Sequence, residues 1–226
     1  MIERIIKADF HMHTHFSPDS EMSPTTLVER CLEVGLECVA VTDHNTIDGA
    51  LEVERIAPFK VIIGEEIASS SGEITGLFLN ESIPRGLSPV ETVKRIKSQG
   101  GLVSIPHPYD RFRREVITRA GISEVIPHAD IVEIFNSRNN LDADNRKAVE
   151  LAESNGLLTS GVSDAHIPME LGRTYVEMPD FDGTPEGFKK SLAQGTIVAR
   201  KMSPLIHVIT TLVKIKKRIG FGKVVN

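Results

Sequence analysis

The stretch Ile5-Ile6-Lys7-Ala8-Asp9-Phe10-His11-Met12-His13-Thr14-His15 begins as an apolar strand and ends in imidazoles and a carboxylate. Alternate residues of an extended chain share a face, so Asp9, His11 and His13 point the same way. Two later segments also set Asp and His just after an apolar run: Thr42-Asp43-His44-Asn45 and Ser163-Asp164-Ala165-His166. Nitrogen and oxygen donors gathered like this suit a divalent metal. His15 keeps the phase but falls past the strand end, and reads as a loop residue.

Outward from this stretch, strands alternate with helices. Strands are expected at 5–10, 37–42, 60–64, 102–105, 130–135, 157–162 and 196–200, with an extra one at 74–79. Ser23-Pro24 reads as an N-cap with Pro at the first helical position, and Gly35 as the stop of that helix. Other helices are expected at 47–56, from a capping box at Ser88 to 99, at 142–155, from Thr184 onward, and at 205–219. Residues 110–124 read as charged and irregular, a short helix and a loop. Strands joined through helices pair in parallel with right-handed crossovers, as a barrel or as an open doubly wound sheet. The polar residues choose between these. His11/His13, His44, Glu66, His107 and Asp164/His166 follow five different strands, and a closed barrel gathers such ends at one mouth where an open sheet spreads them along a line. The expected fold is α/β, a distorted seven-stranded (β/α)7 TIM-like barrel. It forms a single domain over 1–226, with 167–226 as its C-terminal extension.

Composition narrows the function. The chain has 226 residues, 40% of them hydrophobic and 25% charged, which fits an ordinary globular domain. A net charge of -5 argues against a broad grip on duplex phosphates, and the absence of Trp against an aromatic platform for single strands. Cys31 and Cys38 read as buried thiols, without a disulfide framework. Residues 1–6 are too short and polar for a signal peptide, and no apolar run reaches the roughly 18–20 residues of a membrane span. These features imply a cytoplasmic protein. The basic run Lys214-Ile215-Lys216-Lys217-Arg218 lies beside an apolar stripe. It reads as a packed helix with a solvated basic face; contact with anionic lipid or nucleic acid is the alternative. His128 and His207 read as structural or surface residues.

Asp9-Phe10-His11-Met12-His13, Asp19, Thr42-Asp43-His44-Asn45, Gly64-Glu65-Glu66, Pro106-His107-Pro108 and Ser163-Asp164-Ala165-His166 stand in this order along the chain. In these motifs the chain resembles the polymerase and histidinol phosphatase (PHP) family of metal-dependent phosphoesterases, as a small stand-alone member. The resemblance implies a distorted (β/α)7 barrel with two or three divalent ions, Zn, Mn or Fe, at its mouth. It assigns His11, His13, Glu66 and Asp164 to a first ion. Glu66 bridges to a second, which also uses His107, and Asp19, His44 and His166 hold a third. Glu66, Asp164 and His166 are the residues implied in catalysis. One departure stands out. Many members carry a further His after the bridging Glu, where this chain reads Gly72-Glu73-Ile74-Thr75-Gly76-Leu77; Glu73 or water would fill that place.

The implied activity is hydrolysis of a small phosphorylated substrate by metal-activated water, with a nucleotide or short oligonucleotide phosphate as the expected partner. A histidinol-phosphate phosphatase and a non-catalytic metal-stabilised module are the alternatives. Arg111, Arg113, Arg114 and Arg138, with Asn136, are candidates to bind a phosphate, since guanidinium pairs with it bidentately. Each arginine also reads as a solvated charge.

Overall fold

A computed structural model describes residues 3–139 and 141–201. The expected helix at 205–219, the basic run and His207 lie outside the described residues. In chain order the elements are β1 (Ile5–Asp9), α1 (Pro24–Val34), β2 (Cys38–Val41), α2 (Asp48–Ile56), β3 (Lys60–Ser69), β4 (Gly72–Leu77), α3 (Pro89–Ser98), β5 (Leu102–Ile105), α4 (Arg119–Val125), β6 (Ile131–Asn136), α5 (Asp142–Asn155), β7 (Leu158–Val162), β8 (Tyr175–Pro179), α6 (Pro185–Leu192) and β9 (Thr196–Val198).

Local chemistry sets the helix ends. Ser23, Ser88, Thr118 and Thr184 each accept the backbone N–H three residues on, opening α1, α3, α4 and α6. Only the serine half of the Ser88 capping box forms, because Glu91 turns to Arg95 Nε at 3.2 Å. Gly35 and Gly156 end α1 and α5 in the left-handed conformation.

The strands form one nine-stranded sheet in the order β7-β6-β5-β4-β3-β2-β1-β8-β9. The sheet is nearly closed and barrel-like, but it corrects the expectation of seven strands in parallel. β1-β2-β3 and β5-β6-β7 are parallel, whereas β4 is antiparallel to β3 and β5, and β8 to β1 and β9. Only Ser70 and Ser71 separate β3 from β4, and so short a link can only turn the chain back. Pairing with β4 carries β3 on to Ser69, so Glu65 and Glu66 lie inside a strand and not at its end. β8 escaped the sequence reading because Glu177 interrupts a short run that ends in Pro179; the signal was the buried alternation of Val176 and Met178.

Alternation along the strands makes two apolar layers. Val39, Val41 and Ile63 face the helices, packing with Leu27, Ala50, Val93, Ile122 and Ala148 of α1 to α5. Cys38, Ala40 and Ile62 face the other way, with Ile6, Ala8 and Phe188 of α6. Phe188 meets Phe10, Phe78 and Phe181 edge-on. The gap left in the sheet is spanned by an inner strand: β1 continues past its last rung to meet the exit of β7. Met12 bridges to Ala165, and His13 N donates to the Ala165 carbonyl at 2.8 Å. Gly161 on β7 leaves room for β9, since a Cβ there would lie 2.3 Å from Ile197 Cγ2.

Candidate metal centre

The strand exits bring the ligand-type residues together. The Met12–Ala165 bridge sets His11 and His13 beside Asp164. A second bridge pairs His44 with Glu66, and Asn45 N donates to the Glu66 carbonyl at 3.0 Å. His107 leaves β5 at φ 28° and Asp164 leaves β7 at φ 53°. Left-handed backbone at such residues costs on the order of 1–3 kcal/mol each and concentrates at functional sites.

Hydrogen bonds outside the cluster decide which ring nitrogens face into it. His11 Nδ1 lies 2.7 Å from Glu133 Oε1, so the neutral ring keeps its proton there. Ser17 Oγ donates to Asp43 Oδ1 at 2.6 Å, which leaves it to accept from His13 Nδ1 at 3.0 Å. With both rings neutral, the form a metal binds, both Nε2 atoms therefore carry lone pairs, and they face each other 3.1 Å apart. Glu66 Oε2 lies 3.3 and 3.4 Å from them, and Asp164 Oδ1 3.7 and 3.5 Å. Both oxygens are buried and accept no hydrogen bond. Four acceptors around one point, with no donor among them, fit a divalent cation.

Three further groupings adjoin this one. His13, His44 and His166 converge, as do His11, Glu66 and His107, and His44, Glu66 and Glu73. Asp19 Oδ1 lies 3.5 Å from Nε2 of both His44 and His166. His166 Nδ1 is 2.9 Å from the Asp164 carbonyl, and Arg138 Nη1 abuts the same nitrogen. Asp164 Oδ2 accepts from Asn136 Nδ2 at 3.0 Å and from Arg113. All eight residues expected as ligands thus share one cluster, six of them buried and Asp19 and His44 half-buried at its rim, bordered by Arg113, Asn136 and Arg138. Arg111 is placed elsewhere, on Asp144 of α5 at 2.7 Å, and Arg114 is exposed. His15 is an exposed turn residue stacked on Phe16, and His128 is exposed.

Residues 9–81 match the PHP domain, and residues 142–197 the PHP-associated family. An uncharacterized protein of Methanocaldococcus jannaschii is 42% identical over 145 residues, covering 58% of this chain and 82% of its own. The chain belongs to the PHP family. A 5'-3' exoribonuclease of Haemophilus influenzae is 29% identical over 119 residues, covering 46% of this chain and 43% of that protein. Two solved structures show the same fold. A two-domain protein of Bacteroides vulgatus containing a predicted PHP-like metal-dependent phosphoesterase aligns with TM-score 0.62 and 19% identity over 86% of this chain; the chain spans 65% of that protein. The lesion-specific endonuclease Q of Pyrococcus furiosus aligns with TM-score 0.62 and 17% identity, over 89% of this chain and 60% of its own.

Burial and close neighbours shift the titratable groups of this cluster in opposite directions. Burial pulls the His11 imidazole down, but Glu133 and Glu66 overcome it and raise its pKa to about 10. His44 rises to about 9 against burial, through Glu66 and Asp19. Burial, with His166 and His44 adding to it, holds His13 well below the usual range. Burial and Arg138 bring His166 to about 3. Burial and the neighbouring Glu66 charge push Glu73 well up.

Sequence reading missed the residues behind the ligands. Glu133 holds His11, and its Oε2 accepts the His107 backbone N–H at 3.1 Å. Glu170 Oε2 accepts the N–H groups of His166 and Ile167 at 2.6 and 3.0 Å. Asp43 accepts from Thr14 N and Oγ1 as well as from Ser17. For Glu133 the signal was a carboxylate in the middle of Ile131-Val132-Glu133-Ile134-Phe135. Cys31 and Cys38 are free, buried thiols pushed up to about 12 by burial, and take no part. No helix among the described residues is long and apolar enough to cross a membrane.

Proposed function

We propose that this PHP protein hydrolyses a phosphoester in a small substrate, a nucleotide or short oligonucleotide phosphate, with two or three divalent ions held by His11, His13, Asp19, His44, Glu66, His107, Asp164 and His166. The observation that carries the reading is the pair of lone-pair nitrogens of His11 and His13, turned by Glu133 and Ser17 onto two buried carboxylate oxygens that lack hydrogen bonds. Bound ions supply an acidified water and offset the charge gathering on phosphoryl oxygens.

The chain's own residues do the rest. Glu66 faces the first grouping through Oε2 and His107 through Oε1, at 3.0 Å, and so suits a bridge. Asn136 and Arg113 hold Asp164 by Oδ2 and leave Oδ1 directed at His11 and His13. Arg113 and Arg138 reach the cluster from two sides, where guanidinium groups can take the oxygens of a phosphate. The name of the exoribonuclease relative and that of the endonuclease with the same fold support a nucleotide-type substrate.

Protein purified without chelator is assayed for metal, then for turnover on nucleoside bisphosphates, 5'-phosphorylated oligonucleotides and histidinol phosphate. Metal and turnover on the first two are expected, and Asp164→Ala loses metal and at least about a hundredfold in rate. Full metal content and rate in Asp164→Ala, or bound metal without turnover on any substrate, overturns the reading.

A further inference from the structure

We infer that Glu73 is a metal ligand, and that with Glu66 and His107 it makes the second centre an oxygen-rich site better suited to a hard ion such as Mn²⁺ than an imidazole at this position would. The inference rests on the reading that the cluster holds metal, and adds a residue and a metal class to it.

The β3–β4 register brings Glu73 in. Glu66 pairs with Thr75 and Ala68 with Glu73, so the two glutamates are diagonal neighbours on one face. The backbone there is tightly held. Gly72 turns at φ 114° and packs on the Ile117 backbone, where a Cβ would lie 2.3 Å from Cα, and Glu73 N donates to the Glu115 carbonyl at 2.8 Å. Glu73 is 2% exposed.

Its two oxygens repeat the disposition of Glu66. Glu66 shows Oε1 to His107 Nε2 at 3.0 Å and Oε2 to His44 Nδ1 at 3.2 Å. Glu73 shows Oε2 to His107 Nε2 at 3.8 Å and Oε1 to His44 Nδ1 at 3.5 Å. The Glu73 separations are too long or too marginal for hydrogen bonds, but two ligands about 2.0–2.2 Å from one ion stand roughly 3–4 Å apart. Two carboxylates side by side in a dry pocket cannot both stay ionised unless a cation lies between them. A carboxylate at this position brings a negative charge and a harder donor than an imidazole would. Harder donors suit Mn²⁺ and Mg²⁺, whereas imidazole suits Zn²⁺.

Metal-stripped wild type, Glu73→Gln and Glu73→His are dialysed against buffered Mn²⁺ alone, Zn²⁺ alone, and a mixture of the two. Bound metal is counted by elemental analysis, and Mn²⁺ followed by electron paramagnetic resonance. Circular dichroism first establishes that each variant is folded. Glu73→Gln, which keeps size and hydrogen bonding, should lose Mn²⁺ affinity at one site by at least about tenfold, the cost carried even by an outer partner of a ligand. Glu73→His should restore the bound ion and move the preference toward Zn²⁺. Unchanged Mn²⁺ binding in Glu73→Gln, or an unchanged Zn²⁺ to Mn²⁺ ratio in Glu73→His, overturns the inference. Metal binding that follows these expectations in a protein without phosphoester turnover would instead remove the proposed function and leave the ligand in place.

Discussion

On β6, Glu133 lies between Val132 and Ile134 and serves two candidate ligands at once, the His11 ring through Oε1 and the His107 backbone through Oε2. A carboxylate behind a histidine fixes its tautomer and raises its basicity. Glu133→Gln keeps the shape and removes the charge. Titration of the stripped protein should show metal affinity down by about 10–100-fold with the fold unchanged, and wild-type affinity would exclude this role. His11, His13, His44 and His107 were legible because imidazoles at the ends of apolar strands are hard to explain otherwise. Ser17 was not, since its importance lies in one hydroxyl that gives its proton to Asp43 and receives one from His13. Nothing in a sequence marks such a hydroxyl before the turn at 14–19 has folded against β2.

At the scale of elements, α2 begins on top of the Asp43 network. A Cβ on Gly49 would lie 2.0 Å from Asp43 Oδ2 and 2.3 Å from Thr14 Oγ1, so the first turn of α2 sits closer than any side chain allows. Gly49→Ala should push this turn off Asp43, cost about 1–3 kcal/mol of stability, and weaken metal binding through Ser17 and His13. Chemical denaturation and metal titration of the variant check both effects; a variant as stable as wild type would show that the turn yields freely. Helix ends were easy to read, because Ser23, Ser88, Thr184 and Gly35 act within a few residues of themselves. The strands were harder. A period-two pattern reports burial on two faces and says nothing of the neighbour's direction, so β4 and β9 were found without their antiparallel pairing. The short β8 was missed.

For the whole molecule, near-closure of the sheet concentrates acidic and imidazole groups that would otherwise lie far apart. Metal should therefore stabilise the fold. Ions at about a thousandfold over their Kd contribute about 4 kcal/mol, so chelation should lower Tm by on the order of 10 °C, reversed by Mn²⁺. A thermal scan with and without chelator tests this, and an unchanged Tm would remove the ions from the folded state. Proton linkage gives a second check. His11 and His44 titrate near about 10 and about 9 in the metal-free fold, so at neutral pH both hold protons that an incoming ion must expel. Apparent metal affinity should rise with pH through this range and fall as pH drops below it. Calorimetry in buffers of different ionisation enthalpy should register proton release on binding, and a pH-independent affinity would contradict the shifts.

The residues by themselves determined which ligand-type side chains gather and their barrel-like convergence, because donor chemistry is a property of side-chain type and strand ends are set by local alternation. Only the tertiary structure decided the mixed strand directions, the supporting shell of Glu133, Ser17 and Glu170, and the arrival of Glu73 beside Glu66. These depend on which strand lies next to which and in what register, and register comes from packing between segments far apart in the chain.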